Sequence, residues 1–194
     1  MTLGRDVIAQ AQSGTGKTGA FTVSALQLVD HTKKETQAII LSPTRELSRQ
    51  TYDVLCSLSA LLKTDIKLLI GGTSTEQDIR DLHDKTPQII VGCPGRIHDM
   101  ARRKHFDTKT VNLIILDEAD EMLSAGFKEQ VYNIFQYLKN DVQIGLFSAT
   151  MPAELSTLTE KFMREPVKIL VKQEMLTLEG IAQFYVGLDD DASK

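Results

Sequence analysis

With 194 residues, 42% hydrophobic and 25% charged, the chain has the size and balance of one globular domain able to bury a full core. Its net charge of −4 excludes a protein that grips nucleic acid by bulk electrostatics, so any nucleic-acid surface must be a local patch. No apolar run approaches the ~20 residues that span a bilayer, and Met1-Thr2-Leu3-Gly4-Arg5-Asp6 lacks a signal peptide's apolar stretch, so no membrane association is expected.

The first apolar strand, Val7-Ile8-Ala9, runs into Ala11-Gln12-Ser13-Gly14-Thr15-Gly16-Lys17-Thr18. A helical run with Phe21, Val23, Leu26 and Leu28 follows. This strand–loop–helix matches the phosphate-loop pattern G-x-x-x-x-G-K-[ST] except at its first position, where Ala11 replaces glycine. The loop must turn backbone N–H groups around an anion, and the helix N-terminus adds partial positive charge. Gly14 and Gly16 supply the flexibility inside the curl, whereas the first position needs only a small side chain. Lys17 would reach the β- and γ-phosphates, and Thr18 would offer its hydroxyl to Mg²⁺.

Further short apolar runs follow, each stopped by a polar or Gly/Pro cluster. Gln37 to Ser42 ends at Pro43-Thr44-Arg45-Glu46. A long helix is expected next, with Leu47, Val54, Leu55, Leu58, Leu61 and Leu62 on one face. Ile66 to Ile70 ends at Gly71-Gly72, and a polar helix passes through Ile79 and Leu82. Gln88 to Gly92 ends at Pro94-Gly95-Arg96. Val111 to Leu116 ends at Asp117-Glu118-Ala119-Asp120, and Gln143 to Phe147 at Ser148-Ala149-Thr150. Val167 to Val171 closes the series, and Thr177 to Lys194 reads as a departing linker. Met122, Leu123, Phe127, Val131, Ile134, Phe135 and Leu138 have helical spacing and read as core.

Apolar strands alternating with helices predict an α/β fold with an open, doubly wound parallel sheet. Ligands of such sheets bind beyond the carboxyl ends of the strands, so the clusters should share one rim. Asp117 and Glu118 directly follow a strand. A carboxylate there can hold Mg²⁺, and the next can orient or deprotonate an attacking water. An acidic helix N-terminus would look the same taken alone. Cys56 and Cys93 form no C-x-x-C pair and read as two buried thiols of a reducing compartment. The four histidines show no metal-ligand spacing. Arg102-Arg103-Lys104 reads as a solvated helix end.

Asp117-Glu118-Ala119-Asp120, taken with the phosphate loop, Pro43-Thr44-Arg45-Glu46-Leu47, Gly71-Gly72, Pro94-Gly95-Arg96 and Ser148-Ala149-Thr150, resembles the first RecA-like domain of the DEAD-box RNA helicases. Gly4 to Thr18 and Leu176 to Ile181 look like the initiation factor 4A subfamily. The resemblance implies a RecA-like ATP-binding domain over residues 1–175 and a linker towards a second domain over 176–194. It implies ATP and Mg²⁺ on the loop from Ala11 to Thr18, with Thr18 and Asp117 at the metal. Lys17, Asp117 and Glu118 would be catalytic, Glu118 positioning the hydrolytic water. It implies sequence-independent RNA binding through Pro43, Thr44, Arg45, Gly71, Gly72, Pro94, Gly95 and Arg96. Asp120, Ser148 and Thr150 would couple nucleotide state to RNA.

The chemistry agrees: Arg45 and Arg96 can form charge-assisted forks to phosphate, and glycines at helix starts let the backbone approach closely. Two departures stand out. Ser48 replaces a usual alanine, and Cys93 a common threonine whose hydroxyl a thiol matches poorly. The adenine-reading segment and the second RecA-like domain are not in the sequence. The expected function is the nucleotide-binding half of an ATP-dependent RNA helicase, nearly inactive alone, monomeric and cytoplasmic, with a nuclear setting as alternative. A protein scaffold partner is also expected. The competing reading is an interaction module that docks on such a partner without turnover.

Overall fold

The structure is a computed structural model that describes residues 1–12, 14–124 and 126–170. Ser13, Val171 and the expected linker over 176–194 lie outside the described residues. In chain order the elements are β1 (Val7–Gln10), α1 (Lys17–Leu28), β2 (Ala38–Leu41), α2 (Arg45–Leu58), β3 (Ile66–Leu69), α3 (Thr75–Asp84) and β4 (Ile89–Gly92). They continue with α4 (Pro94–Arg102), β5 (Leu113–Leu116), α5 (Ala119–Ser124), α6 (Lys128–Tyr137), β6 (Gln143–Ser148), α7 (Ala153–Phe162) and β7 (Val167–Ile169).

The strands pair in the order β3-β4-β2-β5-β6-β1-β7, and every pairing is parallel. The sheet is open and wound in both directions from its middle, as the alternation predicts. Burial on both faces explains why the central strands are continuously apolar. Ile39, Leu41, Ile90, Ile114 and Leu116 pack on one side with residues of α3 to α7. Ala38, Ile40, Ile89, Val91, Leu113 and Ile115 pack on the other with α1 and α2, around Phe21, Ala25, Leu26 and Leu55.

Several boundaries differ from expectation. The helix after Pro43 stops at Leu58, and Leu61 and Leu62 lie beyond it, 94% and 40% exposed. Its buried face is Ser48, Thr51 and Leu55, so the leucines after Leu55 do not extend the core. Val111 is fully buried but precedes its strand. Gly72 does not open a helix: α3 starts at Thr75, with Ser74 accepting from the Gln77 amide as its cap. The helical run from Met122 to Leu138 is core as expected, with Phe127 only partly buried, but it is divided between α5 and α6. Cys93 is buried and Cys56 only partly so. Arg102 and Arg103 pair with Asp99 at the exposed end of α4.

Candidate functional site

Sheet order sorts the rim. From β3 to β1 the strand ends deliver Gly71-Gly72, Cys93-Pro94-Gly95-Arg96, Pro43-Thr44-Arg45, Asp117-Glu118, Ser148-Ala149-Thr150 and the glycine loop. At ordinary strand spacing this rim spans roughly 24 Å. The phosphate-loop half (β1, β6, β5) and the arginine half (β2, β4, β3) are therefore contiguous sectors of one edge, although the chain visits them alternately.

In the first sector Gly16 caps α1 with φ 92° and Gly14 has φ 80°, both left-handed conformations that favour glycine. A Cβ on either would meet nothing within 4 Å, so the space beside both glycines is open. Lys17 is buried, and its Nζ donates to the Ala11 carbonyl at 2.9 Å and to Glu118 Oε1 at 2.8 Å. Glu118 adopts φ 49°, a left-handed turn uncommon for a side-chain-bearing residue and typical of constrained sites. Asp117 is 4% exposed, and its Oδ1 has no hydrogen-bond partner among the described residues. Burial, and then the Glu118 charge, push its carboxyl up to about 6, against the opposing pull of Lys17. A cavity of about 460 Å³ extends from Thr15, Gly16 and Lys17 along largely apolar walls to Val167 and Ile169 at the sheet edge.

These residues fit a magnesium nucleotide. A buried carboxylate with an unpartnered oxygen is a poor structural element and a good cation site. Lys17 and the open glycine loop supply charge and backbone donors for phosphates.

Within the first sector, where the ends of β5, β6 and β1 adjoin, lies a closed knot of hydrogen bonds. The Thr150 hydroxyl and amide donate to Asp120 Oδ2 at 2.6 and 3.0 Å. The Asp120 amide donates to Ser148 Oγ at 3.3 Å, and that hydroxyl donates to the Thr150 carbonyl at 2.7 Å. The Ala11 amide donates to the Ser148 carbonyl at 3.0 Å, so the knot touches the start of the glycine loop.

The second sector surrounds a cleft of about 610 Å³ lined by Pro43, Thr44, Arg45, Gly71, Gly95 and Arg96 among others. Thr44 caps α2 by accepting from the Leu47 amide at 3.2 Å. Pro94 occupies the first turn of α4, where its missing N–H costs nothing, and leaves Gly95 exposed at the helix start. Arg45 is exposed and lies over the Gly71-Gly72 turn. Arg96 differs from expectation: its side chain is 10% exposed and pairs with Asp78. Cys93 Sγ lies 3.5 Å from Ser48 Oγ, whose own proton goes to the Thr44 carbonyl at 2.9 Å. The thiol is thus the donor of that pair. Burial pushes the Cys93 thiol up, so it stays protonated.

The sequence did not single out Asp78. Its signal was available: it stands one turn before Leu82, on the face of a polar helix that meets the core.

A model of the DEAD/DEAH box helicase family matches residues 1–158. An ATP-dependent RNA helicase named eIF4A from Scheffersomyces stipitis is 53% identical over 189 residues, covering 97% of this chain and 47% of that protein. The chain thus spans about half the length of the curated relatives it matches. A solved DEAD box protein of the hyperthermophile Methanococcus jannaschii superposes with a TM-score of 0.81 at 41% identity, covering 85% of this chain and 45% of that one. A Saccharomyces cerevisiae Dbp5 variant bound to RNA and ADP BeF3 gives 0.81 at 32% identity, covering 92% and 45%. With fold, motif order and family model in agreement over most of its length, the chain belongs to the DEAD/DEAH box helicase family.

Proposed function

We propose that the chain is the nucleotide-binding half of an ATP-dependent RNA helicase of the eIF4A type. In this reading it couples magnesium–ATP binding and hydrolysis to sequence-independent RNA binding and local duplex separation. The carrying observation is the rim. Lys17, Asp117, Glu118 and the Asp120–Thr150 knot share one sector, and Arg45 and the Gly71-Gly72 turn lie in the adjoining one.

Lys17 and Thr18, together with Asp117, would hold the phosphates and the metal, and a Mg²⁺ there would supply charge neutralisation on the phosphate oxygens. Lys17 has one strong anionic partner, Glu118, and exchanges it for phosphate. Glu118 is then released to orient a water and take its proton. Asp120 reports the state of the glycine loop to Ser148 and Thr150. Arg45, Thr44, Gly72 and Gly95 meet the sugar–phosphate backbone, which carries no base information. The segment beyond this half supplies the remaining groups of the site, including an arginine finger worth ~10³–10⁵ in rate. The relatives' eIF4A name supports a role in translation initiation in the cytoplasm.

The test measures nucleotide binding, ATP turnover and RNA competition. The 194-residue chain is expected to bind magnesium nucleotide weakly and to show almost no turnover. In the full-length protein, single-stranded RNA should compete far better than DNA. RNA-stimulated turnover by this chain alone at the rate of a whole helicase, or equal competition by DNA, would overturn the reading.

A further inference from the structure

Asp78 is an acid on a polar helix, yet it is 4% exposed. A buried carboxylate is strongly destabilising without charged partners. Its Oδ1 lies 3.1 Å from Lys67 Nζ of β3, and its Oδ2 accepts from Arg96 Nη1 of α4. Arg96 also donates to the Thr73 carbonyl at 2.9 Å and to Thr73 Oγ1 at 3.3 Å. The Thr73 hydroxyl in turn donates to the Ile70 carbonyl at 2.9 Å. Lys67 is shared with Asp81, so two cations face two carboxylates and the cluster is neutral.

The two arginines of the cleft therefore differ in kind. Arg45 is exposed, with its guanidinium over the outer side of the Gly71-Gly72 turn. Arg96 has its charge compensated internally and its donors committed to the residue that follows that turn. The turn contains two glycines, one at φ 84°, and has little intrinsic rigidity. Something must hold it, because a backbone site for phosphate works only if its donors keep one spacing.

We infer that Asp78 is a positioning residue for the RNA site: through Arg96 and Thr73 it clamps the Gly71-Gly72-Thr73 turn against the start of α4. Arg45 supplies charge to the ligand, and Arg96 supplies order to the loop. The inference rests on the RNA reading of the cleft, so the test separates the two.

The experiment uses this chain with a labelled single-stranded oligouridine, at several salt concentrations, and ¹⁵N relaxation of the turn amides. Asp78→Asn should weaken RNA binding about 10-fold, leave nucleotide affinity unchanged and lower the order parameters of Gly72 and Thr73. Arg96→Gln, which leaves Asp78 paired with Lys67, serves if Asp78→Asn does not fold. It should weaken RNA binding while the slope of log affinity against log salt stays as in the wild type. Arg45→Gln should flatten that slope by about 0.7, the value of one lost phosphate contact on a single strand. Unchanged RNA affinity in Asp78→Asn, or equal flattening by Arg96→Gln and Arg45→Gln, overturns the inference. If the wild-type chain binds no RNA, the same titration is made on the full-length protein, and no binding there overturns the RNA reading. The clamp then stands or falls on whether the turn loosens in the variants.

Discussion

Arg45 lies so close over Gly72 that a Cβ built on the glycine would stand 2.6 Å from the arginine Nη1. Gly72 also has φ 84°, where a side chain is strained by about 1–2 kcal/mol. The two effects fall on different properties. A guanidinium at the end of a long side chain can move aside, so the clash itself costs little. The strain remains, and the arginine is displaced. Gly72→Ala is therefore expected to lose about 1–2 kcal/mol of stability in urea unfolding and about 10-fold in RNA affinity, with nucleotide affinity unchanged. RNA binding equal to wild type would show that Arg45 need not sit where it does.

Lys17 and Glu118 form an ion pair whose side chains are 7% and 19% exposed. In the nucleotide-free protein this pair competes with phosphate for the lysine. Glu118→Gln keeps the shape and removes the competing charge. The nucleotide should bind several-fold tighter, consistent with a released ion-pair energy of about 1 kcal/mol. Turnover in the full-length protein should fall by at least ~10²-fold, because the base is gone. Stopped-flow binding of a fluorescent nucleotide and a phosphate-release assay give both numbers. Weaker nucleotide binding in the variant would mean that Glu118 helps to hold the ligand rather than competing for the lysine.

Much of this was legible before any coordinates, because parallel strands buried on both faces must be apolar throughout and must stop abruptly. Ala38 to Leu41 and Leu113 to Leu116 are fully or nearly fully buried runs of that kind. Their polar terminators announced the rim. The order of motifs along it was not legible, since β1 pairs with β6 and β7 rather than with β2. Helix ends were misread where composition and packing part company: Leu61 and Leu62 fit a helical stripe but follow the cap at Ser59. The ion pair of Arg96 was not legible for a related reason. A lone arginine after a Pro-Gly pair carries no mark of its partner, and the partner, Asp78, lies in another element.

Asp117 carries a cost that its function explains. Burial and the adjacent Glu118 raise its carboxyl to about 6, and one of its oxygens has no partner among the described residues. At pH 7 the carboxylate is ionised in an unfavourable place. Asp117→Asn removes the charge at nearly constant shape. The nucleotide-free protein should gain on the order of 1–3 kcal/mol at pH 7, the range set by a buried polar group left unsatisfied. The same variant should lose the thermal stabilisation that magnesium nucleotide confers on the wild type. Calorimetry with and without nucleotide checks both signs, and a less stable Asn variant would mean that the carboxylate contributes to the fold.

Asp120 behaves oppositely. Burial, the largest single influence, raises its carboxyl. Hydrogen bonds from the Thr150 hydroxyl and from backbone amides outweigh that and hold it below the ordinary 3.8. A depressed carboxyl binds fewer protons folded than unfolded. Its stabilisation is thus complete above the unfolded value and is lost as pH falls through 3.8 and then through the folded value. Thr150→Val removes the 2.6 Å hydroxyl bond and keeps the amide bond. The variant should be less stable by about 1–2 kcal/mol at pH 7, a range discounted for the partial exposure of Asp120. That gap should narrow as pH falls through 3.8 and the lower folded value. Urea midpoints at pH 7, 5 and 3 measure it. In the full-length protein the same variant should bind nucleotide and RNA separately as well as wild type but lose their mutual enhancement, since the hydroxyl lies in the knot that ties the acidic turn after β5 to the strand end beside the glycine loop. A stability gap that stays constant down to pH 3 would remove Asp120 from the acid response. Intact mutual enhancement would remove Thr150 from the path between the ligands.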